Sequence, residues 1–501
     1  MELTILLRIL LIDPPFKRFT NLVNYYFPLG LAYLAAVLKK NDYEVKIYEV
    51  DGAKRGGDIN FSEEYRRLEL YVQGLQSDEH PVWQEIKDEL LFYKPDVVGI
   101  SSMTTKFGSV LRVARVCKEV IPDCRVVLGG PHPTILPEQC LKVKDVDFVI
   151  RGEGERSFLE LLGVISSDGE LSKVEGLSYK DGKKVVHNED RELIADLGEI
   201  PLPARDLLMN LKNYTSEDMG MIMSSRGCPF NCTYCFHSFK KKVRFRPLPS
   251  LIEEIKYVKK KFKTRQFAFK DDTFALNRKY TISLCEKILS EKLGINWDCT
   301  TRANLLDEEL LGLMNKAGCN LVKIGVETGS QKVLEETKKG VSLEEIKRTA
   351  RLLNKHKIFW SAYFMIGLPQ ETEEDILATY RFMKELNPYY AGLGVYNPFP
   401  GTELFGESME KGLLCPQADL SYFLKTNPKD YFFKHPGERV VGIDKEKFNE
   451  LLSFTMDGFH RHNTRLRNLA RRAWTRRKAY FNDFALLFGD LKKALRWKME
   501  D

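Results

Sequence analysis

Three cysteines carry the strongest chemical signal in this chain. In the run S-S-R-G-C-P-F-N-C-T-Y-C-F-H-S (224–238), Cys228, Cys232 and Cys235 are spaced C-x3-C-x2-C, directly after a short apolar stretch, Met221–Met223. Thiolates this close in sequence converge on one centre. A four-iron cluster is ordinarily held by four cysteines, so three would leave one iron open to ligation by a small molecule. His237, two residues beyond Cys235, keeps a second reading open, a structural zinc with Cys3His ligands. A zinc knuckle, however, needs no large strand–helix domain behind it, and one follows here.

That domain is expected over 214–415. Apolar runs at Gln266–Phe269, Asn296–Thr300, Leu321–Val326, Phe359–Met365 and Ala391–Tyr396 alternate with helical patterns, and with the strand before the cysteines they give six strand–helix units. Six units make a partial (β/α)6 barrel, whose chemistry gathers at the carboxyl ends of the strands. Polar residues fall there: Asp271 and Asp272 after the second strand, Arg302 after the third, Glu327 closing the fourth, and Ile366-Gly367 after the fifth. As helix caps the carboxylates would need no further explanation. A guanidinium matches carboxylate geometry, which makes Arg302 a candidate for an anionic ligand group.

The C-x3-C-x2-C loop, with Tyr234 just before its last cysteine, resembles the signature of the radical S-adenosylmethionine (SAM) superfamily. The resemblance implies a [4Fe–4S] cluster on Cys228, Cys232 and Cys235, with SAM chelating the open iron and yielding a 5′-deoxyadenosyl radical on one-electron reduction. By the same resemblance Asp272 is expected at the SAM amino group, Arg302 at its carboxylate and Glu327 at the ribose hydroxyls. Tyr234 and Ile366 are expected beside the adenine.

Residues 1–170 read as a doubly wound α/β domain: buried-strand patterns at Arg8–Ile12, Glu44–Glu49, Asp96–Ser101, Arg125–Leu128 and Asp147–Ile150 are separated by helical ones. Ligands bind such sheets beyond the carboxyl ends of the strands. The loops there are Asp13-Pro14-Pro15, Ser101-Ser102-Met103-Thr104 and Gly129-Gly130-Pro131-His132, followed by Gly152-Glu153-Gly154-Glu155. Together they resemble the cobalamin-binding domain that precedes many radical SAM barrels. The resemblance implies cobalamin contacts from Pro14, Ser101, Ser102, Thr104, Gly129, Gly130, His132 and Glu153. The D-x-H-x-x-G histidine that replaces the lower cobalt ligand in one type of cobalamin domain is missing from the first loop, so the lower face is expected to be held without one.

A hairpin around Asp181-Gly182 and the I-P-L-P run at 200–203 read as a linker, 171–213. Beyond the barrel, 416–501 reads as a helical, basic segment, and its aromatic stretch Leu420–Val440 as a cover for the barrel mouth. The window Arg461–Tyr480 holds eight basic residues and no acidic one; subtracting those eight from the net charge of +7 leaves −1 for the rest. The amphipathic helix expected there suits packing on the barrel, or peripheral contact with anionic lipid. No aromatic–basic RNA module accompanies it, so nucleic acid is not an expected partner. Ten dispersed cysteines form no disulfide framework and fit a reducing cytoplasm.

Taken with the resemblance, the chain reads as a cobalamin-dependent radical SAM methyltransferase acting on an unactivated carbon or a phosphinate. A small-molecule or lipid-like substrate and an external electron donor such as ferredoxin or flavodoxin are implied. A cyclase or rearrangement enzyme of the same architecture is the rival enzyme, and a zinc-stabilised binding protein the rival from another class.

Overall fold

The computed structural model describes residues 7–20, 26–53, 65, 67–167, 169–237, 239–417, 419–435, 438–471, 473–474 and 488. Most of the basic amphipathic stretch expected after Arg471 lies outside them.

The first sheet has seven strands. β1 (Arg8–Asp13), β2 (Glu44–Glu49), β3 (Val97–Ser101), β4 (Arg125–Gly129) and β5 (Phe148–Ile150) are parallel, in the order β2-β1-β3-β4-β5. Alternate residues of β1 enter separate cores. Ile9 and Leu11 pack with helices Leu29–Lys40 and Gly154–Ser167, whereas Leu10 and Ile12 pack with Leu68–Gln76, Pro81–Tyr93 and Phe107–Val120. Strand order reverses at β1, which places a crevice between the carboxyl ends of β1 and β3.

The hairpin expected in the linker, β6 (Leu177–Asp181) and β7 (Lys184–His187), instead extends this sheet, because β6 pairs antiparallel with β5. The edge of β5 would otherwise present unpaired backbone groups. The first domain therefore runs through His187. The linker proper, expected to be extended, instead carries short 3-10 turns at Leu197–Glu199, Arg205–Leu207 and Leu211–Asn213 and is bonded to the first domain, with Ala204 N–H donating to the Ala32 carbonyl and Met209 N–H to that of Ile47.

The second sheet is parallel throughout. It comprises β8 (Met221–Ile222), then, past the short antiparallel pair β9 (Ser225–Arg226) and β10 (Arg244–Phe245), β11 (Gln266–Phe269), β12 (Asn296–Thr301), β13 (Cys319–Glu327), β14 (Phe359–Ile366) and β15 (Tyr390–Val395), in the order β15-β14-β13-β12-β11-β8. This is the six-stranded partial barrel expected. Its helices start where side chains take up free amide donors: Asn277, Asp307, and the reciprocal pairs Ser342/Glu345 and Thr372/Asp375. Helix Lys445–Thr464 covers the edge strand β15, where Asn463 bonds both the N–H and the carbonyl of Ala391.

Burial along the strands shows which way the barrel is filled. On β13, Val322, Ile324 and Val326 are fully buried beneath the outer helices, while Leu321, Lys323, Gly325 and Glu327 on the opposite face keep partial exposure. Tyr363 and Met365 repeat the pattern on β14, and Thr300 in mid-β12 is exposed. A closed eight-stranded barrel packs its interior with side chains; this one has an open lumen.

The aromatic stretch after residue 416 meets both domains: Arg439, near its end, donates to the Tyr396 carbonyl just beyond β15, while its earlier part packs on the first domain. Phe423, Tyr431 and Phe432 join the first domain's core against Phe107, Tyr71 and Leu75, because that face carries the unfilled apolar surface.

The two domains share a core: one hydrophobic cluster runs from Leu31 and Phe158 through Ile194, Leu197 and Leu208 to Ile222, Leu251 and Phe267. Beside it lies a fully buried charge group. Arg205 donates to the carbonyls of Met219 (3.0 Å) and Met221 (2.6 Å) and to Glu254 (2.6 Å); Arg246 pairs with the other oxygen of Glu254 and donates to the Tyr33 hydroxyl at 3.2 Å. Removing one member of such a group strands the others without water. Glu254→Gln is expected to destabilise the protein by roughly 3–5 kcal/mol, read as a lower urea midpoint by circular dichroism, with Glu254→Asp losing less.

Candidate active site

The cysteine loop is held before it reaches the first thiol. Asp271, at the end of β11, accepts from Ser224 N–H and Oγ (both 2.7 Å) and from Ser225 N–H (2.5 Å). Burial raises its pKa to about 6 against the opposing pull of these donors. Pairing of β9 with β10 closes the loop into a hairpin, Arg226 opposite Arg244. Gly227 crosses at φ +96°, where a Cβ would stand 2.4 Å from the Lys242 carbonyl oxygen, so no side chain fits.

The three thiols face one region. Thr273 Oγ1 lies 3.4 Å from Cys228 Sγ, and Arg302 Nη1 lies 3.5 Å from Cys232 Sγ. Burial first, then the neighbouring Cys232 and Cys228, push the Cys235 thiol up to about 12. Among the described residues no three His, Cys, Asp or Glu side chains are near enough to chelate a single ion. Three thiolates from one loop can hold three irons of a four-iron cluster and leave the fourth open, so the donor set fits the cluster.

The other SAM-site candidates surround this loop. Asp272 is exposed and accepts the Gly227 N–H at 2.9 Å. Glu327 ends β13 at φ +69°, a conformation rare for a side-chain-bearing residue, beside a register shift against β14. Its carboxylate meets Lys339 Nζ at 2.6 Å. Tyr234 joins Met365, Val333, Leu368, Tyr396 and Leu404 in a small apolar cluster. Burial first, then Glu327 and the nearby thiols, holds its hydroxyl well above the usual phenol range.

Arg302, expected at a carboxylate, donates to the Lys339 and Gly340 carbonyls and to Cys232, with its guanidinium 3.7 Å above the Phe230 ring. Ile366 is fully buried and its carbonyl accepts from Tyr396 N–H. The next turn depends on Glu371, whose Oε2 accepts from Gly367 N–H (2.6 Å) and Leu368 N–H (2.9 Å).

At the β1/β3 crevice lies a mainly apolar cavity of about 310 Å³. Leu11, Ile100, Val127, Leu128, Ile150 and Phe158 form its floor. At Gly30, Gly129 and Gly152 a Cβ would meet nothing within 4 Å, leaving a smooth open face for a flat macrocycle. The apolar lining and the bare glycines suit a corrin macrocycle, and among the described residues no histidine lines the cavity. Of the residues expected at cobalamin, Ser101, Gly129, Gly130 and Glu153 line this cavity.

Pro14, Ser102, Thr104 and His132 do not line it. The β1 loop turns toward Lys106, which donates to the Pro14 carbonyl at 3.4 Å. Ser102 is fully buried below Gly130. His132 packs away from the cavity on Phe107 (ring centroids 4.0 Å apart), with Nδ1 3.2 Å from Thr104 Oγ1. Burial pushes its pKa down to about 3.

Sequence reasoning missed the contact between the two halves. Arg226 bonds Glu153 (2.7 Å) and Glu155 (2.6 Å), Arg244 takes the second Glu153 oxygen (2.7 Å), and Ile194 N–H donates there too. Arg226 and Phe236, which flank the cysteine triad, line the cavity from the barrel side. Arginines paired opposite two glutamates in a G-E-G-E loop were the available signal.

Residues 222–383 match the Radical SAM superfamily and residues 18–162 the B12 binding domain. The chain belongs to the radical SAM superfamily, among the members that carry a B12-binding domain ahead of the barrel, and it is an enzyme of that class with a [4Fe–4S] cluster, SAM and cobalamin as cofactors. An uncharacterized methyltransferase of Pyrococcus horikoshii is 34% identical over 454 residues, 89% of this chain and 91% of its own. The anaerobic magnesium-protoporphyrin IX monomethyl ester cyclase of Rubrivivax gelatinosus is 30% identical, over 81% of this chain and 70% of its own. Among solved structures, the radical SAM methyltransferase TsrM of Kitasatospora setae, with cobalamin and [4Fe–4S] bound, shares the fold with TM-score 0.67 at 18% identity, over 90% of this chain and 88% of that one.

Two outcomes test this geometry. Gly129→Val adds a Cβ that meets no protein atom within 4 Å at a residue lining the cavity, so the chain should fold with its iron and sulfide content intact but lose bound cobalamin, read from the visible spectrum and a cobalt assay. Glu371 has its pKa raised by burial from 4.5 to about 8. The folded chain then binds a proton that the unfolded chain has released, so this group's contribution to stability falls as pH rises from 4.5 through 8. Glu371→Gln should flatten that part of the urea-midpoint profile.

Proposed function

We propose that this protein is a cobalamin-dependent radical SAM methyltransferase acting on an unactivated carbon or a phosphinate of a small molecule. The observation that carries the reading is the shared wall: Arg226 and Phe236 bound both the cysteine triad and the glycine-rimmed cavity. When bound, the cluster with SAM supplies a hydrogen-abstracting carbon radical, and cobalamin supplies a transferable methyl group.

The chain's own residues position these groups. Cys228, Cys232 and Cys235 hold the cluster, and Arg302 lays positive charge beside Cys232. Asp272 offers an exposed carboxylate to the SAM amine, Glu327 a carboxylate to the ribose, and the Tyr234–Met365 cluster an apolar surface to the adenine. Glu153, Glu155, Arg226 and Arg244 lock the two sites in register, and the lumen beyond them receives the substrate and limits water. Electrons come from an external donor of the ferredoxin or flavodoxin kind, in the cytoplasm.

Ring closure without methyl transfer is the second reading, favoured by the cyclase relative with its 30% identity. Product analysis separates the two. The anaerobic holoenzyme, supplied with SAM and a strong reductant, should form S-adenosylhomocysteine as well as 5′-deoxyadenosine. 5′-Deoxyadenosine alone, from a preparation with cobalamin bound and reduced, would discard methyl transfer.

A further inference from the structure

The open lumen has a charge pattern that the cofactor sites do not use. In the parallel register Thr300 pairs with Lys323 and Lys323 with Ser361, so all three share the inner face at one level. Lys270, the residue after β11, continues that level beside Thr300, since Phe269 pairs with Cys299. One step deeper, Asp298 binds Lys323 Nζ at 2.5 Å. Nearer the cluster loop, Glu327 is taken by Lys339.

Each of these carboxylates therefore already has its cation. Lys270 has none: among the described residues it makes no ion pair or side-chain hydrogen bond, and its nearest aromatic partner is the Tyr26 ring, 4.6 Å from Nζ. Tyr26 reaches it from the first domain and is 58% exposed. Burial, then Lys323, pushes Lys270 down to about 8, with Asp298 opposing. A partly enclosed ammonium beside a second lysine, on the partly exposed inner face of the barrel, is complementary to an anion. Around it Ala268, Leu321, Tyr363 and Met365 supply apolar surface on the same inner face.

We propose that the lumen binds a substrate bearing an oxyanion group, a phosphate, phosphonate or carboxylate joined to an apolar body, with the oxyanion on Lys270 at the Thr300–Lys323–Ser361 level. This deepens the radical SAM reading and rests on it. Lys270 is a binding residue and takes no part in bond making. Asp271 and Asp272 do not compete for it, because the first is consumed by Ser224 and Ser225 and the second faces the cysteine loop.

The test is calorimetric titration of the SAM-saturated holoenzyme with ethylphosphonate and propionate, and with the neutral dimethyl ester of ethylphosphonate as control. At least one anion should bind and the ester should not; Lys270→Met should weaken the anion by about tenfold or more, while Lys270→Arg, which keeps the charge, stays within about threefold. Circular dichroism of both variants checks folding. No anion binding to the wild-type holoenzyme, equal binding of the ester, or an unchanged affinity in folded Lys270→Met each overturns the proposal. A rise in the SAM requirement of Lys270→Met with unchanged anion affinity assigns Lys270 to SAM and also overturns it. Cleavage of SAM by the wild type in the same preparation, without any anion, reports separately on the radical SAM reading.

Discussion

Charge withdrawn from water must be matched, and this requirement organises the molecule at its centre. Glu153 and Glu155 stand at the apolar cavity of the first domain, and Arg226 and Arg244 on the hairpin that carries the cysteines. All four are buried. Breaking one pair would leave an uncompensated charge in a dry interface, so the domains are held at one separation and one orientation. The cavity and the cysteine loop acquire a common wall as a direct result.

The strands supply the second constraint. Their outward faces are apolar and sealed under helices, which stabilises the barrel without help from its interior. The inner face is thereby released from packing and can carry lysines, an aspartate and tyrosines, groups a filled core would exclude. Six strands instead of eight, with an open lumen, leave room for both the adenosyl group and a substrate.

Much of this was legible in the sequence. Cysteine spacing marked the loop that the structure gathers at the barrel mouth, strand–helix alternation gave both domains in order, and the glycines of G-G-P-H and G-E-G-E marked the cavity rim. What was missed involves partners distant in sequence. Arg302 fits the simple expectation of an arginine meeting a carboxylate, yet its donors turn to Cys232 and to carbonyls on the Lys339–Gly340 turn, which no local pattern places nearby. His132 looked available because it follows two glycines, but a neutral imidazole also stacks well in a buried aromatic group, and Phe107 and Phe423 provide one. The hairpin around Gly182 reads the same whether it connects domains or extends a sheet; only the unpaired edge of β5 decides between them.

The hydrophobic cluster that passes from the first domain through Ile194, Leu197 and Leu208 into the barrel has a consequence for inheritance. Two ligand-binding units joined by a flexible tether can be exchanged between genes as cassettes. Here a cut anywhere between residues 190 and 222 would expose apolar surface on both pieces. Recombination that brought in a new cobalamin domain would have to bring the intervening strap and its matching barrel face with it. The two halves are therefore expected to diverge as one lineage, with substrate range changing through lumen residues and not through domain shuffling.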